Sequence, residues 1–173
     1  MKHILLFTVF LLSLNVKAQE NFDFSKKQIP VWERAKQSTI AVAKAMPESN
    51  YNYIPAEDVK SFGQQMTHIS NSLLSMYTRF ILKQGYSGRE KKASGMTKAQ
   101  IISELEKSFD TVLESLKSLK DSDLQSIGKS GGNFPLTKWQ SLLFMSDHIT
   151  NHRAKAVLYL RLNKIKPPRY GYN

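Results

Sequence analysis

Residues 59–80, VKSFGQQMTHISNSLLSMYTRF, carry the pattern that decides the fold. Apolar side chains recur there in alternating steps of three and four, the spacing that places them on one face of an α-helix. These side chains are Val59, Phe62, Met66, Ile69, Leu73, Met76 and Phe80. Glu57 and Asp58 lie in the predicted first turn, where the helix dipole stabilises carboxylates. The pattern ends near Gly85. The segment is predicted to form a long helix with one buried stripe.

Three further windows show the same spacing and predict three more helices. The first is entered through Pro30 and ended by Pro47, the second begins at Thr97 as N-cap, and the third begins after Thr137 and ends near Asn163. Their stripes consist of Trp32, Ala35, Thr39, Val42 and Met46, then Ile102, Leu105, Phe109, Val112, Leu116 and Leu119, then Trp139, Leu142, Met145, Ile149, His152, Ala156 and Tyr159.

No window alternates in twos over a strand-like length, so an all-α fold is predicted. Four helices of this length make a four-helix bundle. The predicted connections are long, at about eleven residues around 47–57 and about fourteen around both 84–97 and 121–135, against the usual two to eight. Long connections in a bundle indicate crossover topology or loops that cover a site.

The N-terminus has the pattern of a secretory signal peptide. A basic start is followed by an apolar run from Ile4 to Leu14, and Ala18 supplies the small residue at a cleavage point. A transmembrane anchor is the alternative, but eleven residues at about 1.5 Å each cover only about half of a bilayer core. We therefore expect a signal peptide at 1–18, a single domain at 19–173, and an exported protein, periplasmic or secreted, without a stable membrane anchor.

The composition narrows the classes of function further. The chain has no cysteine, which excludes disulfides, thiolate catalysis and cysteine-based zinc sites. Its 25 basic and 14 acidic residues give a net charge of +11, and loss of Lys2 and Lys17 with the signal peptide leaves 23 minus 14, or +9. The basic residues are scattered among acids without a run of five, so no nucleic-acid partner is expected. A basic surface that binds membranes or polyanions is the weakest of the functional interpretations.

Three histidines remain after removal of the signal peptide, and all lie on predicted helices. His148 and His152 are four residues apart and share a helix face, while His68 lies beside the apolar stripe of another helix, on a flank with Gln65, Ser72 and Ser75. Three imidazoles form a nitrogen set for a divalent ion, with a coordination position left for water or substrate. The alternative is that each histidine is an ordinary hydrogen-bonded residue of the core. The glutamate of an HExxH zinc motif is absent.

Two stretches resemble the DinB-like, or YfiT-like, superfamily of metal-binding four-helix bundles. The first is Tyr51–His68, with its tyrosine, proline and acidic residues before a ligand histidine; the second is Asp147–Arg153, followed by Tyr159-Leu-Arg161 and 166–170. The resemblance spans roughly residues 29–172. It departs from the family after Arg153, where relatives often have Gly-Gln and this chain has Ala154 and Lys155.

The resemblance implies that His68, His148 and His152 bind a divalent ion, zinc or nickel, and it allows a homodimer. It also implies a metal-dependent hydrolase or thiol transferase acting on a small molecule. Export favours hydrolysis, because low-molecular-weight thiol cofactors are mainly cytoplasmic. A non-catalytic metal-binding bundle is the rival hypothesis, since no general base is evident in the sequence. Arg153 and Arg161 are candidates to bind an anionic substrate, although an arginine on a helix is more often exposed or ion-paired.

Overall fold

The structure, a computed structural model, describes residues 23–88, 91–128 and 135–170. The predicted signal peptide and the predicted start of the domain at Gln19 lie outside these residues. The described residues form helices joined by turns and loops, with one isolated bridge between Ile127 and Thr137. The helices are α1 (Phe24–Ala45), α2 (Phe62–Met76), α3 (Lys98–Ser118), α4 (Asp121–Leu124) and α5 (Lys138–Leu162). The prediction of an all-α protein is confirmed.

Four long helices pack in the cyclic order α1, α3, α2, α5. Each consecutive pair in this ring is in close contact, so α1 and α2 lie across a diagonal of the bundle, and so do α3 and α5. Side-chain contacts fix the directions. Gln65 near the start of α2 meets Tyr159 near the end of α5, and Lys98 at the start of α3 donates to the Lys44 carbonyl at the end of α1, so both pairs are antiparallel. The connections from α1 to α2 and from α3 to α5 therefore join diagonal positions at opposite ends of the bundle, which accounts for their length.

The predicted start of α3 at Thr97 and of α5 at Thr137 is confirmed, and both helices begin with a capping box. Thr97 Oγ1 accepts a hydrogen bond from the Gln100 amide at 3.2 Å, and Gln100 Oε1 accepts from the Thr97 amide at 2.8 Å. Thr137 and Gln140 repeat this exchange at the start of α5. These pairs satisfy amide groups that a helix leaves unpaired in its first turn.

The prediction that α2 begins near Val59 is wrong. The helix begins at Phe62 behind the N-cap Ser61, whose capping box with Gln64 satisfies the first amides. Val59 is exposed, and Asp58 has a φ of 59°, a left-handed conformation that does not continue into a helix. Glu57 therefore lies in the turn before α2 rather than in its first turn.

The first helix also differs from the prediction, because it begins at Phe24 and contains Pro30 within it. Contacts with residues distant in sequence stabilise this early start. The Asp121 carboxylate accepts hydrogen bonds from the amides of Phe24 and Ser25, at 2.7 and 3.1 Å, and the Phe24 ring packs edge-on against Trp139. The start also has a local N-cap, because the Asp23 carboxylate accepts a hydrogen bond from the Lys26 amide at 2.9 Å.

A wide turn of π-helix, Tyr77–Ile81, continues α2. The sequence predicts that Met76 and Phe80 end the buried stripe, whereas the structure buries Tyr77 and Ile81 and leaves Met76 and Phe80 half-buried. The Tyr77 hydroxyl donates a hydrogen bond to Ser115 on α3. The segment thus packs Tyr77 toward α3 and leaves Phe80 near Phe144 on α5, with ring centroids 6.4 Å apart.

The core is continuous and lies between the four long helices. Trp32, Phe109, Met66, Leu105 and Ile149 are each at most 1% exposed. Among the described residues, no helix has both the length and the apolar character required to cross a bilayer.

Candidate metal centre

The antiparallel packing of α2 and α5 brings all three predicted histidines together. His68 extends from α2 toward the pair on α5, and His148 and His152 lie one turn apart on the facing surface. The ring centroid of His68 is 5.2 Å from that of His148 and 4.3 Å from that of His152, and the two rings on α5 are 4.6 Å apart. The sequence predicted that α2 could supply a third imidazole, and the structure places it there.

One nitrogen from each ring lies within 4.8 Å of the other two. A tetrahedral zinc ion with Zn–N bonds of about 2.0–2.1 Å holds its nitrogens about 3.3 Å apart, so modest side-chain rotations would close the set onto an ion. Nitrogen donors without thiolates suit zinc and nickel, and three protein ligands leave a further coordination position. The donor set therefore fits a divalent ion.

His152 is held by a chain of buried hydrogen bonds. Its Nδ1 lies 2.7 Å from Gln65 Oε1, an amide oxygen that can only accept, so Nδ1 carries the hydrogen and Nε2 keeps its lone pair. The Gln65 amide nitrogen donates to the Tyr159 hydroxyl at 3.2 Å, and this hydroxyl donates to the Lys60 carbonyl at 3.0 Å. Each group in the chain has one consistent role, and together they fix the tautomer of a ligand in the form that a metal requires.

Burial also keeps two of the rings neutral. Desolvation, reinforced by the neighbouring rings of His68 and His148, lowers the pKa of His152 to about 3. Desolvation and the nearby His68 likewise lower the pKa of His148 below its ordinary value. At neutral pH both rings offer a lone pair, so no proton has to be displaced before a cation binds.

The nitrogen Nε2 of His148 is buried and has no hydrogen-bond partner among the described residues. A buried polar atom without a partner costs free energy, and a metal ion would satisfy it. His68 Nε2 lies 3.2 Å from the Ser72 hydroxyl, one turn along α2. The hydroxyl thus lies beside the candidate centre.

A cleft of about 400 Å³ opens beside His68 and His148. The surface of α2 forms one wall, Phe144 on α5 contributes another, and the connection from α2 to α3 borders it through Tyr86. Asn71 anchors this connection because its side chain exchanges two hydrogen bonds with the backbone of Lys91, at 2.9 and 3.2 Å. The loop from α2 to α3 therefore borders the histidine cluster.

The structure does not support Arg153 as a ligand of substrate beside the histidines. Arg153 is 7% exposed and points toward α1, where its guanidinium donates to the Ala35 carbonyl and the Thr39 hydroxyl, each at 3.4 Å. Arg161 is exposed near the end of α5 and does not line the cleft. Asp147 is exposed as well, and no Asp or Glu is found among the described residues that line the cleft.

The structure gives Gln65 and Tyr159 hydrogen bonds beside the cluster and places Arg79 at the cleft, and none of these positions was predicted from the sequence. The sequence places Gln65 only on a polar flank and Tyr159 only on the apolar stripe and in the stretch that resembles the DinB-like superfamily, and it does not single out Arg79. Arg79 follows His68 by eleven residues, close to three full helical turns, so the same helical periodicity that identified the core could have placed it on the face of His68. The partners of Gln65 and Tyr159 lie on other elements and leave no such signal.

Similar folds are found in solved structures of bacterial proteins. A DinB-like protein from Bacillus cereus superposes with a TM-score of 0.70 at 18% identity, covering 82% of this chain and 94% of its own. A DinB-like protein from Bacillus subtilis gives 0.66 at 15% identity, covering 85% and 99%. A conserved protein from Enterococcus faecalis gives 0.62 at 18% identity, covering 84% and 98%. At these identities the likeness is one of fold.

No curated protein matches the sequence with significance. The sequence model of the DinB superfamily, in contrast, matches residues 32–156, which include all three histidines and most of the bundle. This chain therefore belongs to the DinB superfamily.

Proposed function

We propose that this protein is an exported metal-dependent enzyme, a hydrolase or a thiol transferase, in which His68, His148 and His152 hold zinc or nickel. The observation that carries the proposal is the convergence of three ring nitrogens within 4.8 Å of one another, with two of the rings, His68 and His148, lining an open cleft. When bound there, a divalent ion supplies Lewis acidity, which polarises a substrate group or lowers the pKa of a water molecule.

The protein's own residues prepare the site in three ways. Gln65 orients His152 and holds its hydrogen on Nδ1, away from the cluster. The low pKa of His152 keeps that ring ready to bind a cation at neutral pH. Ser72, within hydrogen-bond distance of His68, offers a hydroxyl that can donate to or accept from a molecule in the cleft. Hydrolysis is the favoured chemistry, because we also propose that the protein is exported from the compartment that holds thiol cofactors.

A non-catalytic metal-binding bundle is the alternative, and one observation favours it. Among the described residues, no carboxylate lines the cleft to act as a general base beside the ion. The two functions differ in one measurable property: a catalytic centre keeps an open coordination position, and a centre that only stabilises the fold is closed.

Metal analysis of untagged protein tests the site itself. We expect about one ion per chain in the wild type and in Asn151→Ala, an exposed neighbour of His152, and loss of the ion in His152→Ala. The bundle has its own core, so His152→Ala should stay helical by circular dichroism and melt only modestly lower. Wild-type protein that stays metal-free after supplementation with zinc or nickel would contradict the proposal.

Cobalt substitution then separates the enzyme from the closed bundle. An open position should accept azide, and the visible absorption spectrum of the Co²⁺ protein should change on titration with azide. An unchanged spectrum, or unfolding of His152→Ala, identifies a structural metal and removes the enzyme hypothesis.

Export is tested by N-terminal sequencing of protein from the producing bacterium. We expect the mature chain to begin at Gln19, as the small residue at Ala18 predicts. A chain in the cytoplasm that begins at Met1 would contradict export and would restore the thiol transferase as the favoured chemistry.

A further inference from the structure

We propose that the molecule bound in this cleft is a small organic anion whose carboxylate or phosphate group is held by Arg79. The inference rests on the proposed function, since it assumes that the reacting end of the same molecule approaches the three histidines. It names the substrate class that the metal centre alone leaves open.

The first observation is the position of Arg79. It lies eleven residues after His68, and at about 1.5 Å per residue the two α-carbons are about 16 Å apart along nearly the same helix face. Both residues line the same cleft.

The second observation is the charge of the cleft. Arg79 is exposed, and it forms none of the ion pairs seen among the described residues. The described lining contains no carboxylate to neutralise it. A cation at the histidines would add to this charge, so the cleft would present two positive centres and attract an anion. Guanidinium groups bind carboxylates and phosphates through paired hydrogen bonds.

The third observation concerns the middle of the cleft. Phe144 is 47% exposed at its wall, and Met76 is half-buried beside it. Between Arg79 and the histidines the cleft therefore offers apolar surface, together with the hydroxyl groups of Ser72 and Ser75. These features suit a molecule with an apolar body that separates its anionic group from its reacting group.

The local backbone supports a functional role for this segment. Arg79 lies in the π-helical turn Tyr77–Ile81, and such turns are frequent at functional sites. The turn is fixed by the hydrogen bond from Tyr77 to Ser115, so Arg79 is carried by a segment that is packed against α3.

The test is a binding titration with phenyl phosphate and benzoate, with benzamide as the uncharged probe. Metal-loaded wild type, Arg79→Gln and the control Arg161→Gln are compared by calorimetry, and the metal content of each sample is measured. We expect wild type and Arg161→Gln to bind at least one of the two anions in preference to benzamide. Arg79→Gln should bind that anion about ten- to hundred-fold more weakly, as loss of a charge-assisted contact implies, with its metal content unchanged.

Equal anion affinity in Arg79→Gln and wild type would overturn the inference, and so would wild type that binds neither anion. Both results leave the metal centre intact, because the metal content is measured separately. Samples that hold no metal would instead refute the proposed function; a loss of anion binding confined to Arg79→Gln would then still support Arg79 as an anion site.

Discussion

Replacing Gln65 by leucine removes the acceptor that fixes His152 while keeping a side chain of similar size. Gln65 is 3% exposed and His152 is 8% exposed, so water does not readily replace the lost contact. With metal on Nε2, the hydrogen of His152 must stay on Nδ1, where it would face leucine. The unsatisfied N–H group therefore destabilises mainly the metal-bound state.

An unsatisfied buried N–H group costs about 1–3 kcal/mol, and loss of a hydrogen-bond partner of a ligand histidine weakens metal binding by about 10- to 100-fold. In the metal-free protein His152 can carry its hydrogen on Nε2 instead, so we expect a smaller loss of unfolding free energy, about 1 kcal/mol or less. Gln65→Leu should thus weaken metal affinity more than it weakens the metal-free fold.

The assay is competitive zinc titration against a chromophoric chelator, with urea unfolding of the metal-free protein in parallel. Gln37→Leu, an exposed substitution of the same type on α1, is the control and should match wild type in affinity. Tyr159→Phe should weaken zinc binding less than Gln65→Leu, and adding it to Gln65→Leu should cause little further loss, since both act through one chain of hydrogen bonds. Zinc affinity in Gln65→Leu equal to that of wild type would refute the reasoning.

Two further predictions concern the metal-free fold. Because burial lowers the pKa of His152 to about 3 from an ordinary value near 6.5, the unfolded chain takes up this proton first as the pH falls. The stability that depends on His152 is fully present above about pH 6.5 and is lost progressively toward pH 3. Urea unfolding in the presence of chelator at pH 7 and pH 5 should show a larger decrease in the free energy of unfolding for wild type than for His152→Gln. Equal decreases in the two proteins would exclude the protonation of His152 as the cause. Thr97→Ala removes the N-cap of α3 and should lower the free energy of unfolding by about 0.5–2 kcal/mol. Thr97→Ser keeps a hydroxyl at this position and should retain most of the stability of wild type. Similar denaturation midpoints for wild type and Thr97→Ala would show that the cap contributes little.

The positions of the long helices were predictable from the sequence because the signals for them are local. A buried stripe repeats every three to four residues, as in Leu105, Phe109 and Val112, and the N-caps Thr97 and Thr137 act within one turn. Some predictions failed where a distant group intervenes, whereas the start of α2 was missed although the capping box of Ser61 and Gln64 is a local signal. Asp121, together with the N-cap Asp23, stabilises the start of α1 at Phe24, and the contact of Tyr77 with α3 accompanies the wide turn that leaves Phe80 only half-buried.

The sequence by itself determined the class of fold and the three candidate ligands, since helical periodicity and the spacing of His148 and His152 need no knowledge of neighbouring elements. Only the tertiary structure decided which surfaces meet. It placed α2 antiparallel to α5, so that His68 reaches the pair, aligned Gln65 with His152, and turned Arg153 toward α1 while leaving Arg79 in the cleft. These outcomes depend on helix direction and on packing across the bundle, which the one-dimensional pattern of a single helix does not encode.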